Sequence, residues 1–235
     1  MSQAAWTTQL IALHGWAGDS RAWQPWAELA EARGWRFSAA ERGYGGLPPQ
    51  QPRWDPQAQQ RVVIGHSMGP HLLPAQVWQQ ATTAVWLASF AAFVPPGRQG
   101  RSIRAALQAM GQRIASGDTT ALLRDFFREA AAPFPPSALP LGPLEHGITT
   151  TGRQRLLDDL ERLEHSAGLP AGYPEGAKAL IVEAADDRIV HPVSCAALRE
   201  QLPQAQVWNL EPAGHCLLDP TLAERVLDWI ADEQP

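Results

Sequence analysis

The sequence carries a serine, an aspartate and a histidine in the chain order that one type of nucleophilic catalysis uses. The serine is Ser67, in Gly65-His66-Ser67-Met68-Gly69 directly after the β-branched run Val62-Val63-Ile64. Small residues on both sides let a chain leave a strand and enter a helix sharply, which holds the hydroxyl strained and exposed at a sheet edge. A serine hydroxyl is a poor nucleophile until a base takes its proton, and that base needs an acid to orient it. His215, in Glu211-Pro212-Ala213-Gly214-His215, is the candidate base. Asp186 or Asp187, in Ala184-Ala185-Asp186-Asp187-Arg188-Ile189-Val190, is the candidate acid. An oxyanion formed by attack on a carbonyl needs two preorganised N–H donors. The backbone N–H of Met68, next after the nucleophile, is one, and that of Trp16, in the His14-Gly15-Trp16 loop, is the other. His14 reads as a residue that orders this loop through its ring nitrogens. The plain alternative for Ser67 is a helix N-cap, and for His215 a surface histidine.

Positioning such groups takes strands that end at one edge. Thr8 to Leu13 reads as a buried strand ending at His14-Gly15. Asp19 and Ser20 then cap a helix with the apolar face Trp23, Trp26, Ala27 and Ala30, stopped by Gly34. Further strands are expected at Trp35 to Ala39, at Val62 leading into Ser67, at Ala84 to Ser89, at Ala179 to Glu183 and at Ala205 to Leu210. Strands separated by helices imply an α/β fold: a mostly parallel sheet of about six strands, helices on both faces. Ser67, Asp186, Asp187 and His215 then all fall just past strand C-termini, the edge where open α/β sheets bind ligands. Between the fourth and fifth strands the pattern turns helical. Ile103, Ala106, Leu107, Met110 and Ile114 keep helical spacing, as do Leu122, Leu123, Phe126, Phe127 and Ala130, and then Leu156, Leu160 and Leu163. The expected organisation is a core of residues 1–97 and 177–235 with a helical cap over 98–176.

Composition excludes several function classes. Hydrophobic residues make up 45% and charged ones 18%, which is a globular balance, and the formal net charge of -5 argues against a general nucleic-acid binder. No stretch approaches the ~18 apolar residues of a membrane span, and Met1 to Gln9 lacks the basic start of a signal peptide, so a cytoplasmic protein is expected. Cys195 and Cys216 have no metal-ligand spacing, and neither a metal nor an organic cofactor is implied. Cys216 reads as a small buried hydrophobe. His66, His71, His146, His165 and His191 have no partner that the sequence argues for. Of the ten tryptophans, Trp16 is placed to line the site, and Phe126 and Phe127 divide between core and pocket wall.

His14-Gly15-Trp16, Gly65-His66-Ser67-Met68-Gly69, Asp187 with Val190, and Gly214-His215 resemble the α/β-hydrolase superfamily over essentially the whole chain. The Asp-x-x-Val spacing to Val190 matches its loop pattern, which favours Asp187 as the acid and leaves Asp186 to cap the loop. Within the superfamily the chain is similar to the pimeloyl-[acyl-carrier-protein] methyl ester esterases of biotin synthesis. That likeness rests on His14-Gly15-Trp16-Ala17-Gly18 followed by Trp23, the serine turn, and the cap's Leu156-Leu157-Asp158-Asp159-Leu160. The segment from Gly46 to Arg61 is shorter than in that pattern, so a helix expected there is reduced. The resemblance implies a serine carboxylesterase, with an acyl carrier protein delivering the ester. An acidic carrier needs a basic face, for which Arg101 and Arg104, three apart, and Arg124 and Arg128, four apart, are the candidates. They read equally as the solvated side of amphipathic helices. A thioesterase, a lipid-like esterase or a lyase would keep the same three residues, and a non-catalytic small-molecule receptor on this scaffold is the rival from another class.

Overall fold

The computed structural model describes residues 8–140 and 142–232. The start of the chain, read above as lacking a signal peptide, lies outside the described residues up to residue 7. Six strands form one parallel sheet: β1 (Thr8–Leu13), β2 (Arg36–Ala40), β3 (Gln60–His66), β4 (Thr83–Leu87), β5 (Lys178–Ala184) and β6 (Gln206–Leu210), ordered β2-β1-β3-β4-β5-β6. The helices are α1 (Gln24–Ala32), α2 (Gly69–Leu72), α3 (Ala75–Trp78), α4 (Gly97–Ala115), α5 (Thr119–Ala131), α6 (Thr150–His165), α7 (Pro192–Gln201) and α8 (Leu222–Asp232). Among the described residues no helix is long and apolar enough to cross a membrane.

Strand alternation sends side chains to two cores. Leu10, Ala12, Val62, Ile64, Val85, Leu180 and Val182 meet Trp23, just before α1, Ala30 in the last turn of α1, and Val226, Leu227 and Ile230 of α8. Ile11, Leu13, Val63, Ala84, Trp86 and Ile181 face the other way, onto Val77 and Trp78 of α3 and Leu198 of α7. Covered on both faces, the central strands read as near-continuous apolar runs, as parallel strands must. Several strand ends differ by one or two residues from the expected ones, and two of these differences have a clear local reason. Trp35 donates its N–H to Ala30 O (3.0 Å) and so closes α1 instead of opening β2. Ala88 turns to φ 44°, which stops β4 at Leu87 and frees Ser89 for another partner. Asp19 caps a 3-10 turn over Ser20–Trp23 that runs into α1, and Gly34 at φ 72° ends that segment. Between Gly46 and Arg61 there is no helix.

Between β4 and β5 stand α4, α5 and α6 and, among the described residues, no strand. Their apolar faces build a third core, Leu107, Ile114, Leu122, Leu123, Leu156, Leu160 and Leu163, against Trp16, Tyr44, Met68 and Phe90 at the sheet's C-terminal edge. Ala106, assigned above to this face, is exposed, because α4 presents Leu107 and Ile114 inward. A polar hub sits inside the apolar contact. Asp159 of α6 is fully buried, and the Arg42 guanidinium grips it at 2.6 and 2.8 Å while the Tyr44 hydroxyl donates to it at 2.7 Å. Burial, with Asp159 beside it, holds the Tyr44 phenol far above its ordinary range. Arg155 adds a bond to Gly43 O (2.7 Å), and the Trp16 indole N–H reaches Leu156 O (3.0 Å). α6 is thereby fastened to the loops after β1 and β2.

Removing one partner of a buried ion pair strands the other in low dielectric. Asp159→Ala is expected to lower unfolding stability in urea by about 3 kcal/mol. Its exposed neighbour is the control: Asp158→Ala should cost less than about 0.5 kcal/mol.

Candidate active site

β3 ends at His66, and the next residue, Ser67, takes φ 55°. That left-handed conformation costs a non-glycine residue on the order of 1–3 kcal/mol and persists only where the surroundings dictate it. Here they do. A side chain on Gly65 would overlap the Pro70 ring, one on Gly69 would overlap the Leu13 carbonyl, and a Cβ on Gly15 would stand 2.8 Å from that of Ser67. Ser67 N–H bonds Leu87 O at 2.8 Å, and Ser89 Oγ donates to Ser67 O at 2.6 Å. The turn therefore closes against β1, β4 and its own helix with no spare volume.

His215 Nε2 lies 2.9 Å from Ser67 Oγ, and its Nδ1 lies 2.9 Å from Asp187 Oδ2. With Nδ1–H given to the carboxylate, Nε2 is free to accept the serine proton. Burial pushes the Asp187 carboxyl up, but the adjacent His215 ring and the loop N–H groups outweigh it and hold the group below its ordinary value. Those N–H groups belong to Ile189 and Val190, which donate to Asp187 Oδ1 at 2.7 and 2.9 Å. This corrects the division of labour expected for the pair. Asp187 caps its own loop with one oxygen and meets His215 with the other, while the Asp186 side chain is exposed and its backbone N–H donates to Ala213 O (2.8 Å).

The loop bearing His215 is held from three directions. Asp186 N–H takes Ala213 O, Cys216 N–H takes Ala130 O at the end of α5 (3.1 Å), and His66 Nε2 lies 2.8 Å from His215 O. Gly214 is required, since a Cβ there would overlap the Ala132 carbonyl. Burial raises the Cys216 thiol to about 12.

Ser67 and His215 open on a cavity of about 980 Å³. Trp16, Phe126 and Phe127 line it, Trp16 meeting the Phe126 ring edge-on at 5.1 Å. Arg124 and Arg128 of α5 also line it, Arg128 paired with Asp125 at 3.2 Å. Arg101 and Arg104, exposed on α4, are not among its lining residues. His14 orders its loop from both ring nitrogens, with Nδ1 2.9 Å from Gly15 O and Nε2 3.2 Å from Arg42 N.

Histidines left without partners above have them. His71 stacks on Phe90 at 4.9 Å, His146 meets Arg21, His165 bonds Glu161 O and His191 caps α7. Two residues of consequence, His66 and Asp159, have roles that the local sequence does not announce. Asp159 left a signal, a carboxylate on the apolar stripe Leu156, Leu160, Leu163. The partner of His66 lies 149 residues away, and no local pattern points to it.

The profile of the alpha/beta hydrolase family matches residues 10–229, and the chain belongs to that family. Among solved structures it is similar to an esterase from Exiguobacterium antarcticum (13% identity, 97% of this chain and 93% of that one covered, TM-score 0.71). A thermophilic esterase from Thermogutta terrifontis is comparable (14%, 96% and 90%, TM-score 0.69). So is the enol-lactonase from Burkholderia xenovorans (14%, 95% and 91%, TM-score 0.68). At these identities the likeness is one of fold. A comparison with curated proteins finds no match.

Burial, then the neighbouring His215 charge, lowers the His66 pKa from 6.5 to about 4. Between those values the unfolded chain binds a proton there that the folded protein does not, so stability falls as pH drops through this window. The loss is expected to reach about 2 kcal/mol. Urea titrations at pH 7 and pH 4.5 check it: the difference in stability between them should shrink by about that amount in His66→Gln.

Proposed function

We propose that this hydrolase-family protein is a serine carboxylesterase working through Ser67, His215 and Asp187. The observation that carries the reading is the unbroken hydrogen-bond chain from Ser67 Oγ through His215 to Asp187, open to an apolar cavity. In it, Ser67 Oγ attacks the ester carbonyl carbon as its proton passes to His215 Nε2. Asp187 keeps the tautomer and stabilises the imidazolium. The N–H groups of Trp16 and Met68 receive the oxyanion, each worth ~3–4 kcal/mol of barrier. Collapse expels the alcohol, which takes the proton from His215. Water, activated by the same histidine, then breaks the acyl–Ser67 bond and releases the acid. The acyl chain lies against Trp16, Phe126 and Phe127. The names of two structural neighbours, both esterases, agree with this chemistry.

For the substrate, we propose the methyl ester of a pimeloyl chain on an acyl carrier protein, with methanol as the leaving group and a role in biotin synthesis. Support comes from the sequence resemblance and from the position of Arg124 and Arg128 beside the cavity. Arg101 and Arg104 would extend the docking face along α4. Surface charge of this kind acts on encounter and is screened by salt.

Turnover of p-nitrophenyl butyrate tests the chemistry. Ser67→Ala is expected to lose three or more orders of magnitude in kcat. Asp187→Asn should lose at least about a hundredfold, and Asp186→Asn less than about threefold; equal losses would reassign the acid. Charge reversal at Arg124 and Arg128 tests the partner. It should raise KM for a carrier-bound ester and blunt its salt dependence, and leave the small ester nearly unchanged.

A further inference from the structure

His66 stands inside the site yet has no part in the proton path, and its bonding gives it a different task. Its Nε2 lies 2.8 Å from the carbonyl oxygen of His215, so the ring carries its proton on Nε2 and donates it to that carbonyl. The two rings are 5.0 Å apart, centroid to centroid. His66 is also the residue directly before Ser67, at the end of β3, where Gly65 against Pro70 and Gly69 against Leu13 leave the backbone no room. The histidine therefore ties the backbone of the proposed base to the crowded turn that carries Ser67.

The other ties on the loop hold its flanks. Asp186 N–H fixes Ala213 and Ala130 O fixes Cys216, one on either side of His215. His215 is almost completely buried, so its carbonyl, robbed of a donor, would have to move to find one. A movement of even 1 Å at a reacting group costs about a hundredfold in rate.

We infer that His66 is a positioning residue, whose Nε2–H holds the His215 carbonyl and thereby sets the distance between His215 Nε2 and Ser67 Oγ. This rests on the proposed role of His215 as base. A histidine suits the post because burial and the neighbouring ring keep it neutral down to about pH 4. No second positive charge then stands beside the imidazolium that forms on His215 during attack. With its one proton committed to the carbonyl, His66 does not compete for that of Ser67.

The test compares His66→Leu, His66→Gln, His66→Asn and Ser67→Ala on p-nitrophenyl butyrate, with circular dichroism to follow folding. Leucine removes the donor, glutamine carries an amide N–H about as far out as Nε2, and asparagine carries one that stops short. His66→Leu and His66→Asn are expected to lose about 10- to 100-fold in kcat. KM should stay within about twofold, and His66→Gln should recover most of the loss. Should His66→Leu not fold, the glutamine–asparagine pair still decides: an active Gln with an impaired Asn supports the role. Equal kcat in those two, or wild-type kcat in His66→Leu, overturns it. Ser67→Ala separates the failures. If it is inactive while His66→Leu is unimpaired, this inference alone falls; if it is fully active, the base has no task and both readings fall.

Discussion

Ser67 occupies a turn with no spare volume, and the rest of the site is arranged around that constraint. At φ 55° the serine is strained, and three glycines mark where neighbouring chain comes too close for any side chain. Because β1, β4 and α2 all press on the turn, the hydroxyl has one direction to point. His215 and Asp187 arrive from loops after β6 and β5, so their positions depend on the sheet register that carries those strand ends, across β4, to the same edge as the end of β3. A parallel sheet supplies this at no extra cost, since its C-terminal ends lie along one edge.

The helices between β4 and β5 are joined to this edge in two unlike ways. α6 is pinned by charge: buried Asp159 with Arg42 and Tyr44, backed by Arg155 on Gly43 O and the Trp16 indole on Leu156 O. α5 is joined through backbone, its Ala130 carbonyl accepting from Cys216 beside the candidate base. The same helix carries Phe126 and Phe127 to the cavity wall. Wall and histidine loop thus share one support, and any shift of α5 is felt by both. The specific, geometry-demanding bonds sit where misplacement would disturb the site, whereas the rest of the contact is apolar and tolerant of repacking.

The strands were legible because parallel strands covered on both faces leave apolar runs, and because Gly, Asp and His cluster where those runs stop. That pattern puts Ser67, Asp187 and His215 on one edge, where hydrogen bonds join them. What stayed hidden was pairwise and long-range. Asp159 was visible as an oddity on an apolar stripe, but Arg42, 117 residues earlier, gave no sign of being its partner. The double duty of Asp187 could not be read from two adjacent aspartates, since it depends on which oxygen faces the loop. Arg101 and Arg104 share helical spacing with Arg124 and Arg128, yet only the latter two line the cavity. Spacing gives a face; packing decides what the face looks at.

In the proposed mechanism Ser67 is made nucleophilic by His215. Covalent capture reads it directly: incubate the protein with a p-nitrophenyl alkylphosphonate, weigh the intact chain, and locate the adduct by peptide mass spectrometry. One phosphonyl group per chain is expected, on Ser67, formed far more slowly in His215→Ala. An adduct on another residue, or labelling of Ser67 at the same rate without His215, would contradict it.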